Sequence, residues 1–472
     1  MVNKYWRLIK NTLIFSAGTL GSNFIGFIML PFFTRLLNRS EYGQIDIIIT
    51  TITLLMPIFT LNIVQALFRF TIYNKDRYKK QEILSTSLIF LVISTSILII
   101  LYPILMNFSV FQNYYILFIG LYEIHFVLYI FKSYIKANNK IKLFAISDVI
   151  QTITFATSGI IFISLFDLGV SGYLLASLIS MSIVVLIIFV FAKLYISIRI
   201  VYIKAKLLKE MIKYSIPLVP NSMSWWIMVS SDRYLLALFM NYSSAGIYSV
   251  ANKFPLMITL LNTIFYQAWQ ISSIEQFTKK NRVKFYSKVF NYLSIVILFG
   301  VIVFSFIIKD MTIIMLGKEF KDAWIYIPFL IMGSVFNIFS SFYGVFFLAS
   351  KKTIGAFRTS IYGALINIGV NILLIPFIGI HAASFSTFLG FFIMWVSRIY
   401  ETKKIVKVII HLPKFLLILF FSTLSLFSIY CENRVFIIFV QLVCLSMFVI
   451  IVRKEVKEVL SIALSKIKII TG

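Results

Sequence analysis

Two cations stand out because membrane topology does not explain them. Arg233 and Lys253 lie inside apolar runs, eight residues before Asn241 and seven after Gly246. At about 1.5 Å per helical residue both sit roughly 10–12 Å from the turn between them, at one depth. A cation at the centre of a membrane helix costs about 2.5–3.5 kcal/mol on insertion scales, so each calls for a partner or a polar cavity. Asp232 is the one acid adjacent in sequence. The positive surplus suits a phosphate or pyrophosphate held by charge-assisted hydrogen bonds. The competing reading is an Asp232–Lys253 ion pair that closes the helix hairpin.

Other polar groups extend this set. Arg35 and Arg39, followed by Glu41 and Asp46, fall near the same end of the first two apolar runs, where long side chains can reach water. Arg35 is a third anion-binding candidate, and Arg69 a fourth that reads most simply as part of a topology-setting basic cluster with Lys75, Arg77, Lys79 and Lys80. Asn221, Trp225 and Trp226 follow Pro217 and Pro220. Two prolines predict a bent or broken helix there, with indoles to stack on a sugar ring or simply to pack. Glu123, flanked by Tyr122 and His125 near the middle of an apolar run, is a candidate proton or sodium carrier. Asp148 and Gln151 share a helix face and suit an aqueous vestibule.

The elements that must position these groups are membrane helices. The chain has 472 residues, of which 60% are hydrophobic and 13% charged, and its mean hydropathy is +0.96. A soluble domain could not hide that much apolar surface. Apolar runs of about 20 residues, each long enough to span a bilayer, follow one another almost without interruption and predict fourteen spans, among them 43–68 and 244–272. Forty-four Lys and Arg face seventeen Asp and Glu, and the cations concentrate in alternate gaps between the spans and in the two termini. By the positive-inside rule both termini are cytoplasmic. The net charge of +27 is therefore a topological signal and predicts no nucleic-acid partner. Cys431 and Cys444 lack metal-ligand spacing. Neither a metal site nor a cofactor is expected, and the ions in question are H+ or Na+. The short outer loops leave no room for a folded catalytic domain, so a transporter is expected rather than an enzyme.

A weak internal repeat organises the helices. Asn38 to Gly43 and Asn241 to Gly246 both read N-x-S-x-x-G, and Leu61-Asn62 before Gln65-Ala66 is echoed by Leu261-Asn262 before Gln267-Ala268. An even number of spans between the copies implies a parallel repeat, related by an axis along the membrane normal. The expected fold is all-α and polytopic. Two six-helix bundles, 1–195 and 209–404, precede two additional helices and a basic tail in 405–472.

The motifs L-x-N-R-S-E-Y-G (Leu36 to Gly43), P-x-x-P-x-S (Pro217 to Ser222), S-S-D-R-Y (Ser230 to Tyr234) and G-I-Y-S-V-A-N-K (Gly246 to Lys253), taken in this order, resemble the Wzx-type polysaccharide-unit flippases. These belong to the multidrug, oligosaccharidyl-lipid and polysaccharide exporter superfamily. The resemblance implies movement of an undecaprenyl-pyrophosphate-linked oligosaccharide across a bacterial cytoplasmic membrane for O-antigen, capsule or another surface glycan. It further implies alternating access, contact with membrane lipids, and a polysaccharide polymerase and chain-length regulator as partners. Arg233, Lys253 and Arg35 would attract the pyrophosphate, with Asp232, Asn221, Trp225, Trp226 and Arg69 in supporting roles, while Glu123 and Asp148 would serve ion coupling. A multidrug antiporter and a lipid II flippase share that superfamily. A membrane polymerase or ligase is the reading from another class, and would be expected to carry a large outer loop.

Overall fold

A computed structural model of the protein describes residue 21, residues 24–350 and residues 352–471. The expected basic N-terminus with Lys4, Arg7 and Lys10, and the first part of the first span, lie outside the described residues. Among the described residues the chain is helical throughout, with no strand, and eleven helices are long and apolar enough to cross a membrane. It packs as two units, residues 1–249 with 316–320, and residues 250–315 with 321–472.

In the first unit, α1 (Leu30–Leu36) leads into α2 (Arg39–Phe59), α3 (Ile63–Tyr73), α4 (Arg77–Ile100), α5 (Ser109–Ala137), α6 (Ile141–Ile160), α7 (Gly169–Phe191), α8 (Ala205–Ser215), α9 (Val219–Phe239) and most of α10 (Tyr242–Ala251). The run at 43–68, expected as one span, is two helices. Pro57 lies in the last turn of α2, and Leu61 and Asn62 adopt left-handed φ of 49° and 54°. A proline withdraws one backbone donor and Asn tolerates the left-handed region better than most residues, so the chain turns here. The Asn62 amide donates to the Ser222 hydroxyl at 2.9 Å, which ties the break to the start of α9. The proline-rich entry to α9 interrupts the helix only briefly, at Pro217. Ile216–Leu218 forms a single 3-10 turn, Pro220 falls in the first turn of α9, where its missing N–H has no partner to lose, and α9 then runs unbroken to Phe239.

The two N-x-S-x-x-G copies are helix starts that face each other. Asn38 Oδ1 accepts from the Glu41 amide at 2.9 Å and Glu41 Oε2 accepts from the Asn38 amide at 2.9 Å, a full capping box. Asn241 Oδ1 accepts from the Ser244 amide at 2.8 Å. The glycine ending each copy allows the backbones to touch. A Cβ on Gly43 would overlap the Tyr242 carbonyl, and one on Gly246 would overlap the Arg39 carbonyl. The segment 316–320 closes over this junction: Gly317 N donates to Thr34 Oγ1 at 3.1 Å, and the buried Phe320 meets Tyr42 edge to face at 5.7 Å.

The second unit comprises α11 (Leu256–Gln276), α12 (Arg282–Met315), α13 (Ile327–Ala349), α14 (Thr353–Ile378), α15 (Ile380–Thr402), α16 (Leu412–Phe427) and α17 (Arg434–Thr471). The expected span 244–272 is also interrupted: α10 ends at Ala251, and Pro255 precedes α11. The core is aromatic. Trp269 stacks on Phe342 at 4.2 Å and donates from Nε1 to the Phe342 carbonyl at 3.1 Å. Trp269→Phe, which loses this bond and part of the stack, is expected to lower thermal stability in detergent by about 1–2 kcal/mol. The two additional helices are bolted to α12 by polar contacts of the kind that hold membrane helices together. Ser425 meets Ser305 at 2.7 Å, Ser422 donates to the Leu298 carbonyl at 3.1 Å, and Gln441 donates to the Ser305 carbonyl at 3.0 Å.

Candidate functional site

Arg233 lies on the buried face of α9 and is only 8% exposed. The acid against it is Asp46 of α2, also 8% exposed, rather than the adjacent Asp232. Arg233 Nε approaches Asp46 Oδ2 to 2.7 Å, and its Nη1 donates to the Val229 carbonyl at 3.1 Å. Asp232 is turned to α10, where Oδ2 accepts from the buried Tyr248 hydroxyl at 2.6 Å. The contact of α2 with α9 therefore carries one compensated ion pair, with Tyr42 and Tyr173 close enough to interact with the Asp46 charge.

Trp226 belongs to the same contact. Its Nε1 donates to the Thr50 carbonyl at 3.0 Å, its ring lies edge to face with Tyr234 at 5.5 Å, and the Tyr234 hydroxyl meets that of Thr51. Trp225 and Asn221 are half-buried, the latter one residue from the Ser222 hydroxyl that receives Asn62. Arg35 is exposed in the last turn of α1. Arg69, also exposed, lies over the Tyr214 ring at 4.4 Å. Lys253 belongs to the second unit, half-buried in the turn between α10 and α11.

Of the two candidate coupling acids, Glu123 is half-buried on α5 and its Oε1 accepts from Thr95 at 3.0 Å. Asp148 on α6 is paired. Lys132 of α5 sends its ammonium to Asp148 Oδ1 and to Gln151 Oε1, each at 2.7 Å. Asp148, Gln151 and Thr152 of α6 line a cavity of about 430 Å³ with Tyr173, Ser177 and Ser180 of α7, while Ile49 of α2, Phe155 and Met181 make much of its wall apolar.

Two cations of consequence escape a reading of the sequence. Lys132 and Arg398 both stand where an apolar run gives way to a basic loop, so each reads as a topological charge. Arg398 is instead 4% exposed within α15. Its guanidinium donates to Thr359 Oγ1 at 3.3 Å, the Ser340 carbonyl at 2.9 Å and Ser360 Oγ at 3.2 Å, so it joins α13, α14 and α15 through neutral oxygens. Gly344 makes room for it, since a Cβ there would stand 2.7 Å from Nη1. The paired run of hydroxyls at Thr359 and Ser360 is the one sequence signal for that site.

The structure is similar to that of a lipid II flippase, MurJ, in an inward closed conformation. The TM-score is 0.71 and the identity 18%, over 94% of this chain and 100% of that one. It is similar to an inward-facing multidrug resistance MATE family transporter of the MOP superfamily, with TM-score 0.67 and 14% identity over 81% and 94% of the two chains. A MOP superfamily transporter from Pyrococcus furiosus, described by the reversed polarity of its binding pocket, matches with TM-score 0.60 and 13% identity over 84% and 95%. At such identities these likenesses establish the fold alone, an all-helical multi-pass membrane fold. No curated protein sequence matches the chain. A family model described as polysaccharide biosynthesis protein matches residues 8–270, more than half of the chain, which therefore belongs to that family, a family of the MOP superfamily that includes the Wzx flippases.

Proposed function

We propose that the protein is a flippase that carries an undecaprenyl-pyrophosphate-linked oligosaccharide repeat unit across the bacterial cytoplasmic membrane by alternating access. The repeat unit would serve a surface polysaccharide such as O-antigen or capsule. The observation that carries this reading is Arg233, a buried guanidinium neutralised by a single carboxylate from another helix, in a chain of the polysaccharide biosynthesis protein family. A pyrophosphate brings more charge than Asp46 and accepts bidentate hydrogen bonds, so it competes for the same guanidinium. Separation of α2 from α9 opens the contact closed by Gly43, Gly246 and the ion pair, and exposes Arg233 as it does so. Arg35 adds attraction for the anion, Trp225 and Asn221 meet the sugars, and Glu123 is the group for H+ or Na+ coupling, since Asp148 already holds Lys132. Both termini lie in the cytoplasm by the distribution of Lys and Arg. The sugar and pyrophosphate cross within protein because hydrocarbon offers them no hydrogen bonds.

The test uses Asp46→Asn with Arg233→Gln, which removes both charges together and leaves none buried alone. In a strain lacking the gene, the double variant is expected to accumulate to the parental level. It should restore less than about a tenth of surface glycan, as expected from losing roughly 1.4 kcal/mol or more of anion binding, with lipid-linked repeat unit retained on the inner face. Full restoration removes the anion role of Arg233. A gene deletion that leaves surface glycan intact but sensitises cells to cationic drugs would favour the multidrug reading. Rescue of cells depleted of their own lipid II flippase would favour lipid II as the cargo.

A further inference from the structure

A second cationic site lies in the first unit, away from the Arg233 contact. Lys75, Arg77 and Lys80 from the start of α4 meet Lys140 from the α5–α6 turn and Lys193 from the end of α7 around a cavity of about 370 Å³. No acid lines it, and among the described residues none of the five cations makes an ion pair. Asp76, the acid nearest in sequence, has an oxygen on the Tyr78 amide at 2.9 Å, where it caps α4.

Helix capping accounts for part of this cluster. Lys140 Nζ donates to the Ala192 carbonyl at 3.2 Å and Lys80 Nζ to Asn138 Oδ1 at 2.9 Å, so these two complete the ends of α7 and α5. Capping leaves Lys75, Arg77 and Lys193 unexplained. Lys193 adopts a left-handed φ of 58°, and Asn139, beside Lys140, one of 59°. A lysine in that region costs of order 1 kcal/mol or more relative to glycine, yet here it keeps a fifth positive charge on the cavity wall. Burial, and then the nearby Lys193 charge, lower the pKa of Lys140. Another basic cavity differs. Lys280, Lys284, Lys288 and His411 line about 580 Å³ in the second unit, but Glu455 shares that wall and its carboxylate pairs with Lys414.

We propose that the cavity of Lys75, Arg77, Lys80, Lys140 and Lys193 binds a phosphate-bearing anion, either a free phosphate compound or the headgroup of an anionic lipid. Ammonium groups and a guanidinium converging without a counter-charge repel one another, and an anion turns that repulsion into charge-assisted hydrogen bonds. The site lies at the basic ends of the spans, where cationic pockets between membrane helices take lipid headgroups. It stands apart from the transport reading, since it requires binding only.

The experiment compares the parent with two variants, Lys140→Gln/Lys193→Gln and Lys75→Gln/Arg77→Gln. Lys206→Gln/Lys209→Gln on exposed positions of α8 is a control of equal charge. One arm titrates inorganic pyrophosphate against the protein in neutral detergent and follows the unfolding midpoint. The other reconstitutes it in nanodiscs of phosphatidylcholine with or without cardiolipin. A shift with pyrophosphate alone identifies a free phosphate ligand, a shift with cardiolipin alone identifies the lipid headgroup, and both support the site. Each pocket variant is expected to weaken apparent affinity by about tenfold or more, and the control by less than twofold. The second pocket variant alters exposed residues and remains informative if the first fails to fold. No shift of the parent in either arm, or an equal loss in the control, overturns the proposal.

Discussion

Asp46→Ala is expected to destabilise the first unit by about 3–5 kcal/mol, because it leaves the Arg233 guanidinium buried without its counter-charge. Arg233→Met is expected to fall in the same range for the reciprocal reason. The combination Asp46→Asn/Arg233→Gln should recover most of the loss, since a neutral pair of similar shape leaves no unpaired charge. The measurement is a double-mutant cycle of Asp46→Asn, Arg233→Gln and their combination, read from thermal unfolding of purified protein in detergent. With each single change costing about 3–5 kcal/mol and the double recovering most of the loss, a coupling energy of about 3 kcal/mol or more is the expected result. Additive effects would mean that the 2.7 Å approach contributes nothing to packing. The cycle matters for function because a pair that is stabilising when closed must be separated for α2 and α9 to part.

The second large effect is expected at the repeated glycine. Gly246→Ala places a methyl group on the Arg39 carbonyl, and Gly43→Ala places one on the Tyr242 carbonyl. In both cases the obstruction is backbone at the start of a capped helix, so no side-chain rotation relieves it. Each substitution should cost at least about 3 kcal/mol, seen as loss of the monodisperse peak in detergent extracts. Gly300 is the contrast: a Cβ there meets nothing within 4 Å, and Gly300→Ala should leave extraction and stability unchanged or slightly improved. Equal behaviour of the three variants would show that the close approach of the two helix starts carries no weight.

Between Gly43 and Gly246 the limits of a sequence reading can be located. The N-x-S-x-x-G copies are visible as a repeat, and the structure adds that their asparagines cap helices, a contact between residues only three apart. That the copies touch is not visible, since a glycine required by a backbone 200 residues away looks like any other small residue in a membrane helix. The broken span at 43–68 is a similar case. Leu61 and Asn62 carry no helix-breaking signal of their own, and the turn there is held partly by Ser222, which is remote in sequence.

The sequence by itself determined that this protein is a polytopic helical membrane protein, which stretches lie in the membrane, and that Arg233 is a charge topology does not require. These properties follow from hydropathy and charge, which act through a lipid solvent on every segment independently. Only the tertiary structure decided what each of those charges faces. Arg233 meets Asp46 from α2, Asp148 meets Lys132, and Arg398 is buried among hydroxyls rather than left in a loop. Electrostatic partners are chosen by distance in space, over a few ångströms in a medium of low dielectric, and no one-dimensional pattern encodes which two helices come that close.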